Sequence, residues 1–345
     1  MRFAVRPTVG ARHMMLATGL VAGLVLSACS ATPSDAGGTV SNSQATLAEV
    51  ALTTGNATAG PAFPATVDSV YGELTIDAPP QRIVALTYQG ADILVSLGVQ
   101  PVAVAMSEQD IVDSRPWLSD QLTGTLDSGL SNPDYSVNIE RILSYQPDLI
   151  VGDSWQIADQ ATFEKLNSMA TTYAGAIKGN TDWDVLTLAL GKAVGEPDKA
   201  AAAIADVQAK FAASRGELEA LQGKTYQFVR FAMSEGFAFG NGSWLEQFGL
   251  TPATNQDNSM QGAGISLENL DQLNADVLVI WAYNDEQGVL EADRRFQDLP
   301  STQAGLLVWA DEKMAYATNG PGPLSLAYVN DVVTPLLAAG VAAGG

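Results

Sequence analysis

Two glutamates, Glu140 and Glu268, occupy matching places in two well-separated segments of the chain. Segment 136–151 reads SVNIERILSYQPDLIV, and segment 265–280 reads ISLENLDQLNADVLVI. Each passes from a Glu-bearing helical stretch through a short turn to an aspartate, Asp148 or Asp276, and then into an apolar run. One α-to-β unit is therefore used twice, which predicts two similar α/β lobes that each display a carboxylate at an equivalent place. Two such carboxylates can dock on a two-fold partner, whereas either taken alone could be only a solvated helix acid. Because both precede strands, they are expected on the side of the sheets away from any ligand, serving docking and not binding.

Other chemistry is restricted by what the chain lacks. The sole histidine, His13, and the sole cysteine, Cys29, both lie near the N-terminus. Without imidazole or a free thiol in the body of the chain, a Ser-His-Asp or Cys-His mechanism is excluded, as is a His-based zinc, manganese or copper site. Carboxylate chemistry stays open, but no paired-acid motif stands out, and there is no G-x-x-x-x-G-K-[ST] loop or convincing dinucleotide fingerprint. The reading is of a non-enzyme with no resident cofactor. An extracytoplasmic enzyme is the competing class, and it would need an acid or base with a displaced pKa in a cleft.

The N-terminus gives the compartment. Arg2, Arg6 and Arg12 precede an uncharged stretch from Met14 to Ala28, too short for a membrane span and built like a secretory leader. Leu26-Ser27-Ala28-Cys29 resembles a bacterial lipobox, which implies removal of residues 1–28, acylation of Cys29 and export to the outer face of the cytoplasmic membrane, or to a periplasm. Residues 29–65, rich in Ala, Thr, Ser and Gly, read as a tether that cannot bury enough apolar surface to fold. The formal charge of −21, made more negative by loss of three leader arginines, disfavours nucleic acid and anionic lipid.

The elements that position these groups follow from apolar patterning. A hairpin is predicted around Tyr71-Gly72, then short apolar strands at RIVAL, PVAVA, Asp148–Val151 and Met169–Ala174, separated by helical patterns. Strands without alternation, interleaved with helices, indicate a parallel sheet covered on both faces. A long helix should start at Pro197 and run to about Leu221, with an apolar stripe of Ile204, Val207, Phe211, Leu218 and Leu221. Strands TYQFVRFAM, DVLVIW and LLVWA and a closing helix from Leu324 to Ala339 make a second lobe. The domains are then 66–180, a helical connection at 181–222, and 223–345. A single stiff helix between lobes would permit only small rocking.

In parallel α/β sheets ligands lie beyond the carboxyl ends of the strands. That rule nominates Tyr88, Met106, Ser107, Ser154, Trp155, Arg230, Met233, Trp281, Tyr283 and Tyr316 as a cleft. Aromatic walls suit a bulky, partly apolar ligand. Arg230 needs either an acid, with Glu235 the nearest candidate, or a ligand's oxygens, since an unpaired buried charge is costly. Arg115, Lys178, Arg294 and Arg295 are further cations within possible reach.

The run TVDSVYGELTIDAPPQRIVALTYQGADILVSLGVQPVAVA, the phrase NIERILSYQPDLIV, the PDKA-led helix, SLENLDQLNADVLVI and the ending LPSTQAGLLVWADEKMAYATNGPGPLSLAYVNDVV together resemble the substrate-binding lipoproteins of iron–siderophore, haem and cobalamin ABC importers. The resemblance spans Thr66 to Leu337. It implies two Rossmann-like lobes with parallel sheets joined by one long α-helix, the class III periplasmic-binding-protein fold, acting as a monomer. It implies a ferric-siderophore ligand whose iron is held by the chelator, with haem or cobalamin as alternatives. It also implies docking of Glu140 and Glu268 on a permease dimer coupled to its ATPase. Trp244 falls where some relatives carry a ligand-binding arginine, and with few cations at the other strand ends this favours a neutral or cationic ferric hydroxamate, or a mixed chelator, over a tris-catecholate.

Overall fold

The first lobe opens with an antiparallel hairpin, β1 (Ala65–Ser69) and β2 (Gly72–Ile76), which turns at Gly72 with φ +113°. The structure, a computed structural model, describes residues 63–178, 182–259 and 261–344. The leader, Cys29 and nearly all of the tether lie outside the described residues.

Five strands follow, interleaved with helices: β3 (Ile83–Ala85), α1 (Tyr88–Ser96), β4 (Ala103–Val104), α2 (Glu108–Ser114), β5 (Thr125–Leu126), α3 (Ile139–Ser144), β6 (Leu149–Val151), α4 (Gln160–Asn167) and β7 (Thr171–Tyr173). They form an all-parallel sheet in the order β5-β4-β3-β6-β7. The central strands are buried throughout, as their unbroken apolar runs require. β5 is not visible as an apolar run, because this two-residue edge strand leaves Thr125 exposed.

The connection consists of α5 (Trp183–Val194) and α6 (Pro197–Glu217). Gly195 ends α5 in the left-handed region at φ 78°. A methyl group on Gly191 would lie only 2.4 Å from the Ala200 Cβ, so glycine lets the two helices pack closely. α6 buries Ala200, Ile204, Val207, Phe211 and Ser214 along one stripe, and its 21 residues span about 32 Å. The last turn expected to continue it is a separate 3-10 turn at Glu219–Leu221.

The second lobe holds β8 (Thr225–Ala232), β9 (Gly236–Phe239), β10 (Thr251–Pro252), β11 (Val277–Ala282), three short helices α7 (Gln287–Glu291), α8 (Arg294–Gln297) and α9 (Pro300–Gln303), then β12 (Leu307–Ala310), α10 (Glu312–Asn319) and α11 (Pro323–Gly344). The order β10-β8-β11-β12 is parallel, but β9 folds back antiparallel on β8. The second sheet is therefore mixed rather than all parallel, because the chain reverses at Gly236, at φ 79°.

α11 packs on both lobes. Its buried stripe of Leu326, Val329, Val333 and Leu337 packs with α1 of the first lobe and with α6, so α11 is a second tie between the lobes. Asp92 on α1 is fully buried and accepts the backbone N–H groups of Leu324 (2.9 Å) and Ser325 (2.8 Å), holding the first turn of α11 from the other lobe.

The duplicated unit has a structural meaning in its aspartates. Asp148, just before β6, accepts the N–H groups of Gln81 and Arg82 at the start of β3 (2.7 and 2.9 Å). Asp276, just before β11, accepts the N–H and hydroxyl of Thr225 at the start of β8 (2.8 and 2.7 Å). In both lobes, then, this carboxylate ties down the start of the adjacent parallel strand.

Candidate functional site

The carboxyl ends of the two sheets face a cleft made of two cavities of about 840 and 460 Å³. The larger lies against the first lobe and is lined by Tyr88 at the start of α1, Met106 after β4, and Asp153, Trp155 and Gln156 after β6. The smaller lies against the second lobe and is lined by Phe228 and Arg230 of β8, Phe239 of β9, and Trp281 and Tyr283 at the end of β11. Tyr316 and Asn319 of α10 line both, so α10 stands between the cavities. Of the residues nominated from strand ends, Tyr88, Met106, Trp155, Arg230, Trp281, Tyr283 and Tyr316 are brought together here.

Three of the other strand-end residues, Ser107, Met233 and Ser154, are not, and neither is Trp244. Trp244 is buried in the 3-10 turn Ser243–Phe248, edge-on to Phe228 at 5.8 Å and to Phe248 at 6.3 Å, and thus packs behind the cavity wall. Ser107 is spent as the N-cap of α2, accepting from the Asp110 N–H and donating to its carboxylate. Met233 sits in the exposed β8–β9 turn, where its N–H donates to Glu286, because the hairpin carries the strand's end past the cleft. Ser154 does not line either cavity.

Arg115 is the main residue that strand-end reasoning did not select. Its guanidinium is buried between two rings, 4.7 Å from the centroid of Tyr88 and 4.0 Å from that of Tyr316. It donates to Ser114 Oγ at 2.9 Å and lies 3.7 Å from the Asp110 carboxylate, while its Nε finds no partner among the described residues. Burial raises the Tyr88 hydroxyl to about 12, opposed by the neighbouring Arg115 charge, so this tyrosine stays a neutral donor. Arg230 has the acid it needs: it pairs with Glu235 at 2.7 Å, half-exposed, with its guanidinium 5.5 Å from the Tyr283 ring.

Glu140 and Glu268 are both exposed. Ser131, Asn132, Pro133 and Tyr135, in the loop leading into α3, line the larger cavity, and the Asn138 N–H bonds to Leu130 O at 2.9 Å. Ile265 pairs with Phe237 of β9, next to Ala238 on the smaller cavity. Both glutamates therefore follow, one per lobe, segments that reach the cleft. A helix that feeds a strand runs against it, so the helix start returns to the strand's carboxyl end.

The chain is 29% identical to the probable siderophore-binding lipoprotein YfiY of Bacillus subtilis (strain 168), over 78% of each chain. Its fold matches a crystal structure of a periplasmic solute binding protein from Mycobacterium smegmatis str. MC2 155, with TM-score 0.69 and 26% identity, covering 80% of this chain and 98% of that one. It also matches PiaA of Streptococcus pneumoniae TIGR4, solved in complex with ferrichrome, with TM-score 0.65 and 19% identity over 80% of this chain and 98% of that one. Residues 83–313 match the periplasmic binding protein family across most of the two lobes, and this chain belongs to that family.

Proposed function

We propose that this chain is the substrate-binding component of an ABC importer, capturing a ferric-siderophore between its lobes and delivering it to a membrane permease. The observation that carries this reading is the two-part cleft, with aromatic side chains from both lobes and a buried guanidinium where they meet. Cavities of this size suit a bulky small molecule rather than a lone ion or a polymer. The siderophore-binding name of the Bacillus relative and the ferrichrome complex of the PiaA structure support a ferric chelate as the cargo. In this reading the chelator, not the protein, holds the iron.

Export and anchoring through acylated Cys29 complete the reading, with the protein acting as a monomer on a permease dimer and its ATPase. Glu140 and Glu268, both exposed, are the docking carboxylates. The test is a fluorescence titration of the full chain carrying Cys29→Ser, purified without acylation, against ferric siderophores, haem, cobalamin and free ferric iron. Trp155 and Trp281 line the cleft, so a bound ferric chelate quenches them. Quenching by haem or cobalamin alone would replace the cargo, and no saturable binding of any probe would overturn the reading.

A further inference from the structure

The wall of the larger cavity after β6 carries hydrogen-bond acceptors that the fold does not use. Gln156 is buried, and its Nε2 donates to the carbonyl of Leu86 at 2.7 Å. A carbonyl can only accept, so this bond fixes which end of the amide is which. Gln156 lines the cavity, and its Oε1 is thereby left as a buried acceptor with no partner among the described residues. A buried polar atom left unsatisfied costs free energy unless something else supplies the donor.

Asp153, three residues earlier on the same turn, lines the same cavity. One of its oxygens accepts from Trp155 Nε1 at 2.9 Å, and the other accepts no hydrogen bond among the described residues. Burial holds its pKa above the usual carboxylate range, as expected for a carboxylate without a cation beside it. The other charges lining this cavity are Asp110 and Arg115, which face each other at 3.7 Å. In the smaller cavity Arg230 is already paired with Glu235. Among the described residues lining these two cavities, the charge without an opposite partner is therefore that of Asp153.

We infer that Asp153 and Gln156 form an acceptor subsite that takes N–H donors from the ligand, so that the cleft selects ferric chelates with a cationic amine on their periphery. This inference rests on the ferric-siderophore reading. An ammonium group answers both observations at once: it supplies donors for Gln156 Oε1 and the free Asp153 oxygen, and it neutralises the Asp153 charge. A chelate whose periphery carries carboxylates or free catecholates meets the same wall with like charge and no donor.

The test uses two probes with the same ferric core. Ferric desferrioxamine B is a linear trihydroxamate ending in an ammonium, and its N-acetylated form lacks that charge. The purified full-length chain is expected to bind the ammonium form about 10-fold more tightly or better, as befits a charge-assisted bond. Asp153→Asn, with Asp153→Ser as a second variant, should bind the two forms alike. Equal affinity of the unmodified chain for both forms overturns the inference without needing any variant, as does a preference that survives both substitutions. If the chain binds other ferric chelates but neither probe, Asp153 does not select amines and the inference falls alone. If it binds no ferric chelate at all, the ferric-siderophore reading falls first.

Discussion

The Arg115 guanidinium of the first lobe lies 4.0 Å from the ring centroid of Tyr316 in the second lobe, with Tyr88 closing the other side at 4.7 Å. Tyr88 and Tyr316 themselves meet edge to face at 5.9 Å. The lobes are thus held at the floor of the cleft by a cation between two rings, in a place shielded from water. A desolvated contact of this kind contributes about 2 kcal/mol. Arg115→Ala should therefore lower unfolding stability by roughly that amount and also weaken ligand binding. Arg115→Lys keeps the charge but loses the flat stack, and should recover only part of each. Urea unfolding and ligand titration on the same variants check this, and an unchanged urea midpoint for Arg115→Ala would remove the contact from the energetics of the apo protein.

The parts of this arrangement that come from local pattern were legible in the sequence. Central strands such as Leu149–Val151 and Val277–Ala282 announce themselves as apolar runs, and Pro197 marks the start of α6. What was not legible depends on distant segments meeting. Nothing near Arg115 in sequence reveals that Tyr88 and Tyr316 will enclose it. Trp244 looks like a cleft aromatic until Phe228 and Phe248 are seen to cover it. Gln156 reads as an ordinary turn residue, because its orphaned oxygen exists only once Leu86 has fixed its amide.

The exposure of Glu140 and Glu268 outside both cavities lets docking be tested apart from binding. Both side chains are exposed, and neither lines a cavity. Changing either to Ala or Arg should leave ligand affinity within about 2-fold, since exposed charges at this remove are largely screened, while uptake by cells falls sharply. Charge reversal of both should abolish uptake. A large loss of affinity in the purified variants would place these carboxylates in the binding site instead.

Arg230 offers a second separation. Its pair with Glu235 is half-exposed, and pairs of that kind contribute about 0–1 kcal/mol to stability. Arg230→Ala should therefore barely move the melting temperature of the free protein. Because the guanidinium lines the smaller cavity, the same change should weaken ferric-siderophore binding about 10-fold, the value of one charge-assisted hydrogen bond. Melting curves with and without ligand decide the matter: an equal drop in both, with affinity intact, assigns Arg230 to structure alone.

Asp92 predicts how the tie between lobes responds to pH. Its carboxyl is wholly buried, and burial raises its pKa from 3.8 to about 6, even though the N–H groups of Leu324 and Ser325 at the start of α11 pull the other way. The folded chain then holds this proton more tightly than the unfolded chain does. The associated stability is fully present below pH 3.8 and is lost as pH rises through about 6. The loss amounts to on the order of 3 kcal/mol at most, at about 1.4 kcal/mol per pKa unit. Asp92→Asn has no such proton, and other carboxylates, such as Asp276, whose pKa values are lowered give both proteins a common opposite slope. The quantity to measure is therefore the difference in urea stability, wild type minus Asp92→Asn, from pH 4 to 7. That difference should fall as pH rises. If it rises instead, the N–H groups of α11 outweigh burial, and Asp92 holds the helix as a stabilised anion.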